Sequence, residues 1–361
     1  MSVSKRSVQL VAWFSLVVLL FASIACNNNG GSGSASGSAT LQGAGASFPS
    51  PLYQKWLSEY GKLYPNVRID YQSIGSGGGI RQLKEQTVDF GASDAPMTDA
   101  DLKSAPGEIL HVPTVLGAVV ITYNLAGIKQ PLRFSPEALA DIFLGKIKKW
   151  NDPKIAADNP GVTLPTSDVT VIHRSDSSGT SAVFTDYLSK VSPEWKEKVG
   201  SGVSPSWPTG IGGKGNEGVT GQVKNTPNTI GYIELVYAVK NNLPVAHIKN
   251  ASGNFIEPSI DAVTAAAAAT ASSLPDDLRV SITNAAGAQA YPISSYTYIL
   301  VYKNQKDAAK GKALVDFLWW GIHDGENFAK ELQYAPLPAD VVKKAEMKIN
   351  SVTANGAALR S

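Results

Sequence analysis

The chain of 361 residues predicts an α/β fold with mixed sheets, and three observations point there. Strand-like and helical segments alternate along its length. Three glycine-rich turns, each carrying Ser or Thr, open helical stretches. Hydrophobic residues make up 43% of the chain, ample for two domains.

The N-terminus reads as an export signal. Lys5 and Arg6 precede an uncharged apolar run from Val8 to Ala22, shorter than a comfortable membrane span and ending in small residues. Residues 1–25 are therefore expected to be a signal peptide. Ser-Ile-Ala-Cys at 23–26 looks like a lipobox, in which Cys26 is lipidated and becomes the mature N-terminus. Ser23 departs from the pattern, which prefers Leu; a plain cleaved signal or an uncleaved anchor stays open. Residues 26–40, rich in Asn, Gly, Ser and Ala, form a flexible tether. With Cys26 the only cysteine there is no disulfide framework. The chain has 32 Lys+Arg against 30 Asp+Glu, and losing Lys5 and Arg6 leaves 30 against 30. A neutral protein without a basic patch argues against nucleic acid as partner.

The ordered elements follow in sequence. Gly43-Ala-Gly-Ala-Ser-Phe-Pro-Ser-Pro51 leads into a helix at 51–63, where Ser47 could cap the helix or donate to a ligand. A strand at 67–72 enters Gly75-Ser-Gly-Gly-Gly79 and a helix at 79–87, then Asp89-Phe-Gly-Ala-Ser-Asp94-Ala-Pro. A strand at 118–123 and a helix at 135–143 come next. The third turn is His173-Arg-Ser-Asp-Ser-Ser-Gly-Thr-Ser181, between a strand at 168–172 and a helix at 180–190. A strand at 230–233, a strand at 297–302 and a helix at 312–331 complete the pattern. The alanine-rich 262–272 is helical and carries no visible chemistry.

The third turn is the most informative. A strand, a Ser/Gly/Thr turn and a helix start gather free N–H groups, hydroxyls and the positive end of a helix dipole around one point. Arg174 adds a planar, permanently charged fork suited to oxyanions. The implied ligand is an anion. An ordinary N-cap would use the same residues, but three such starts in one chain favour an assembled oxyanion site.

Other motifs fail on inspection. Gly75-Ser-Gly-Gly-Gly-Ile has Ile80 where a dinucleotide fingerprint needs its third glycine. Gly212-Gly-Lys-Gly-Asn lacks the Ser/Thr and the upstream glycine of a P-loop and reads as a structural loop. The histidines at 111, 173, 247 and 323 have no partners at ligand spacing, so neither metal nor cofactor is expected. Ser178 has no histidine base, because His173 should project from the other face of its strand. Catalytic residues are not expected.

Six motifs in order carry a family resemblance: GAGASFP, GSGGG, VDFGASDAP, LGKIKKWND, RSDSSGTS and GIGGKGN. Together, over roughly residues 41–340, the chain resembles the phosphate-binding proteins of bacterial phosphate-specific ABC importers. The resemblance implies a two-lobed periplasmic-binding-protein fold (type II) with mixed sheets in each lobe. The segments 117–124 and 291–302 would be two crossing strands serving as hinge. Lobe 1 would comprise 41–121 and 293–350, lobe 2 would comprise 122–292, and 351–361 would be a tail. It implies capture of inorganic phosphate between the lobes and delivery to transmembrane permease subunits. The protein would be an extracytoplasmic monomer held to the membrane by its lipid.

On that reading Ser47, Ser76, Ser178 and Thr180 donate through hydroxyls, and Phe48, Gly179 and Thr180 through backbone amides. Arg174 supplies positive charge and Asp176 restrains it. Asp94 is the odd member, because a carboxylate should repel an anion unless the ligand brings a proton. Phosphate does so near neutral pH and sulfate does not. The competing readings are a binder of sulfate or molybdate, and a phosphoester hydrolase using the same donors.

Overall fold

The computed structural model describes residues 38–271 and 274–360; the expected signal peptide, Cys26 and most of the tether lie outside them. Eight strands form one mixed sheet, in the order Val67–Ser73, Ala39–Gly45, Phe90–Ser93, Ser294–Tyr302, Ile109–Asn124, Thr229–Glu234, Thr170–Arg174, Ile211–Gly213.

The strand Ile109–Asn124 joins the two halves. Its run of Val, Ile, Leu and Thr is buried from Ile109 to Tyr123, as expected of a β-branched segment covered on both faces. From Ile109 to Ala118 it pairs antiparallel with Ser294–Tyr302. From Val119 to Asn124 it pairs instead with Thr229–Glu234. The handover falls between Ala118 and Val119, where the Val119 amide donates to the Ile293 carbonyl. Both chain crossings therefore meet at one place. In the first half Ala39–Gly45 runs parallel to both its neighbours; in the second, Thr170–Arg174 does the same. The result is the expected two-lobed fold, with one mixed sheet running through both lobes by way of Ile109–Asn124.

This strand is longer than the expected 118–123 and runs through Pro113, a residue that can make no ladder hydrogen bond from its own nitrogen. The pairing absorbs it: Tyr298 lies opposite Pro113 and Thr297 opposite Val115, leaving Thr114 as an extra residue. Thr114 Oγ1 is tied to the Tyr53 hydroxyl at 2.8 Å and to the Thr297 carbonyl at 3.2 Å.

Three helices depart from expectation at their ends. The second begins at Ser76, so its glycines lie in the first helical turn. Close approach explains them: a Cβ on Gly79 would sit 2.5 Å from the Ala44 carbonyl. The helix expected at 312–331 is Ala308–Ile322, followed by short 3-10 turns at Asp324–Phe328 and Lys330–Leu332. Gly321 and Gly325 lie flush against the Trp56 ring, and Trp56 Nε1 donates to the Gly325 carbonyl at 2.8 Å. That carbonyl is directed to the indole. The alanine-rich segment is helical over Ile260–Ala268.

Candidate functional site

Parallel strands release their carboxyl ends toward the groove between the halves, where α/β sheets place ligands. Ser47 follows Ala39–Gly45, Ser76 follows Val67–Ser73, Asp94 follows Phe90–Ser93, and Arg174 ends its own strand. All the expected site residues other than Asp176 are buried, and the halves are in contact: the Gly77 amide donates to the Ser177 carbonyl at 3.0 Å. Gly179 lies against the opposite wall. A methyl there would overlap Ser76 Oγ and sit 2.6 Å from Asp94 Oδ2.

The second-lobe wall starts with Arg174, whose side chain is 1% exposed. Nε and Nη2 donate to Asp176 Oδ1 and Oδ2 at 2.7 and 2.6 Å, a bidentate pair. Nη1 donates to Thr180 Oγ1 at 3.1 Å. Burial disfavours the guanidinium charge, but Asp176 outweighs burial and holds the Arg174 pKa above its usual value. Burial likewise pushes Asp176 up, while Arg174 and the Gly215 amide bring it below the carboxylate range. The helix Gly179–Val191 begins here. Ser178 Oγ accepts from the Ser181 amide at 3.0 Å, so Ser178 is an N-cap whose O–H remains able to donate. The two readings of this turn are compatible. The amides of Gly179 and Thr180, first in the helix, have no intrahelical acceptor.

The first-lobe wall carries the carboxylate. Asp94 Oδ1 accepts from Thr297 Oγ1 at 2.9 Å; Oδ2 is buried without a partner. Burial raises the Asp94 pKa to about 7, against the Thr297 bond and the Arg174 charge, which lower it. Ser76 Oγ accepts from the Asp94 amide at 3.3 Å. Phe48 packs on Gly117, and its carbonyl accepts from the Tyr334 hydroxyl at 2.6 Å. Ser47 does not cap the helix Ser50–Leu63, whose N-cap is Pro49. Its Oγ instead accepts from Asn216 of the other lobe, from N at 3.1 Å and Nδ2 at 2.9 Å.

Sequence reasoning missed Asn216, Thr297 and Tyr237. Asn216 lies in the loop read as structural; it follows Gly215, whose φ is +69, as the second residue of the helix Gly215–Asn225. Its presence in GIGGKGN was the available signal. Tyr237 donates to the Ser47 carbonyl at 2.6 Å. Nearby, Glu234 is a second buried carboxyl, raised well above its usual pKa by burial, with Oε1 unpartnered. The histidines are dispersed: His173 stacks on Trp207 at 5.0 Å and His111 accepts from the Met97 amide. Among the described residues no His, Cys, Asp and Glu cluster could hold a metal ion.

A two-lobed α/β chain with buried donors on both walls is the architecture of the PBP superfamily, and the profile of the PBP superfamily domain matches residues 30–319. The phosphate-binding protein PstS of Xylella fastidiosa is 47% identical over 310 residues, 86% of this chain and 84% of that one. That of Methanocaldococcus jannaschii is 38% identical over 96% of each. The chain therefore belongs to the PstS phosphate-binding protein family. A phosphate-binding protein from Stenotrophomonas maltophilia superimposes with TM-score 0.67 over 88% of this chain and 96% of that one; at 19% identity this speaks to the fold alone.

Proposed function

We propose that the protein captures inorganic phosphate between its lobes and delivers it to an ABC importer. The observation that carries this reading is Asp94 Oδ2, a buried carboxylate oxygen with no partner on the protein, set opposite anion donors. Donors alone would suit any tetrahedral oxyanion. An acceptor among them suits one that retains a proton, which is phosphate and not sulfate.

In this reading the hydroxyls of Ser47, Ser76, Ser178 and Thr180 donate, with the amides of Phe48, Gly179 and Thr180. Arg174 supplies the charge, oriented by Asp176, and Asp94 accepts the ligand's P–OH. The lobes divide as 41–121 with 293–350 and 122–292, turning about the handover at Ala118 and Val119. Closure buries the anion and opening releases it to the permease. The chain works outside the cytoplasm as a monomer anchored through lipid on Cys26, and binds without catalysis. Among the described residues no helix is long and apolar enough to cross a membrane.

Mass spectrometry of the anion that co-purifies, followed by calorimetric titration of the dialysed protein, tests this. Inorganic phosphate at one equivalent is expected. Equal binding of sulfate, or turnover of a generic phosphoester, would overturn the reading.

A further inference from the structure

Asn216 is fully buried at the start of Gly215–Asn225, and every hydrogen-bonding group of its side chain is used. Its Oδ1 accepts from the Glu234 amide at 3.0 Å. A backbone amide can only donate, so this bond fixes which end of the Asn216 carboxamide is oxygen. The two N–H groups of Nδ2 then point at Ser47 Oγ, 2.9 Å away on the first lobe, and Thr180 Oγ1, 3.2 Å away on the second.

A hydroxyl has one donor and two acceptor positions. Ser47 Oγ accepts twice, from the amide and the carboxamide of Asn216. Thr180 Oγ1 also accepts twice, from Asn216 and from Arg174 Nη1. All four partners are obligate donors. Both hydroxyls have therefore spent their acceptor capacity, and only their protons remain for a ligand.

We propose that Asn216 is a positioning residue that sets the hydrogen-bond polarity of Ser47 and Thr180, making both obligate donors and restricting the site to acceptor-rich anions. It also ties Ser47 to the second lobe, so the polarity is complete only when the cleft is closed. This rests on the phosphate reading of the same site.

A double-mutant cycle tests it, with calorimetric titration of inorganic phosphate into the dialysed protein. Asn216→Ala should weaken phosphate roughly ten- to hundredfold, since two hydroxyls each lose one of the two donors that orient them toward a charge. In a Thr180→Val or a Ser47→Ala background, Asn216→Ala should cost markedly less, because it acts through those hydroxyls. A merely structural role would give the same loss in every background, and that additivity would overturn the inference. Asn216→Asp is the second variant: it keeps the acceptor for Glu234 but cannot donate, and should weaken phosphate at least as much as Asn216→Ala. Undiminished binding by Asn216→Asp would also overturn it. If the unsubstituted protein bound no phosphate, the functional reading would fall as well, whereas intact binding with additive losses sinks this inference alone.

Discussion

The two walls of the cleft treat charge in opposite ways. On the second-lobe wall Arg174 is neutralised within its own wall: Asp176 grips the guanidinium with two bonds, and Thr180 takes a third. On the first-lobe wall Asp94 has one bond from Thr297 and an oxygen with none. The charge on one wall is balanced without a ligand and the charge on the other is not. A charge balanced in place can attract an anion without itself needing it. An unbalanced carboxylate oxygen is satisfied only by a ligand that donates. On the phosphate reading proposed above, the second-lobe wall would supply affinity and the first-lobe wall discrimination.

The largest expected effect removes the discriminating wall. Where Asp94 is ionised, sulfate meets it as acceptor against acceptor, and a site built around one such proton rejects the analogue lacking it by up to about 10⁴-fold. Asp94→Asn deletes the charge and offers an amide donor. The variant should gain sulfate binding while keeping much of its phosphate affinity, as titration of both anions would show. If the variant excluded sulfate as strictly as its parent, discrimination would have to lie elsewhere.

Next in size is the affinity wall. Arg174→Ala should weaken phosphate by about 2–5 kcal/mol, because a buried anion loses its charged partner and Asp176 is left unpaired. A loss below about 0.5 kcal/mol, the range of exposed pairs, would reduce Arg174 to scaffolding.

The comparison also explains what could be read from sequence. Arg174, Asp176, Ser178 and Thr180 lie within seven residues, so their clustering is a property of one strand, turn and helix start. Asp94 was legible by chemistry, as a carboxylate among donors. Its partner Thr297 was not, being 203 residues away and aligned by the pairing shift at Thr114. Asn216 and Tyr237 reach Ser47 across 169 and 190 residues. These are contacts between sequence-distant segments, which leave no local periodicity. Element type was legible where apolar spacing was regular. It failed at ends decided by tertiary contact, as where Trp56 draws away the Gly325 carbonyl.

A smaller effect tests whether the walls must touch. Gly179→Ala places a methyl on Ser76 Oγ and beside Asp94 Oδ2. Overpacking of that kind costs about 1–3 kcal/mol, and here it falls on the closed form only. Phosphate affinity should drop by that amount while the melting temperature of the ligand-free open protein stays put. Small-angle scattering should show compaction by phosphate in the parent and less of it in the variant at equal phosphate. A drop in melting temperature with undiminished compaction would show that the contact serves folding instead.

The last effect turns the discriminating wall with pH alone. Burial sets the Asp94 pKa at about 7, so the carboxyl is ionised above that pH and neutral below it. The neutral form carries its own proton and can donate to sulfate, which itself does not titrate in this range. Arg174 stays charged, with its pKa held above the usual value, and Asp176 stays ionised, with its pKa held below. Glu234, raised well above its usual pKa, is a second carboxyl that could titrate here, so a control is needed. Between pH 8 and pH 6 the protonated share of a group with pKa near 7 rises about tenfold. Sulfate binding by the unsubstituted protein should therefore strengthen by about tenfold over that interval as pH falls. Asp94→Asn should bind sulfate with little pH dependence, because its donor is permanent. Should the variant keep the same slope, the titrating group is not Asp94, and Glu234 becomes the residue to substitute next.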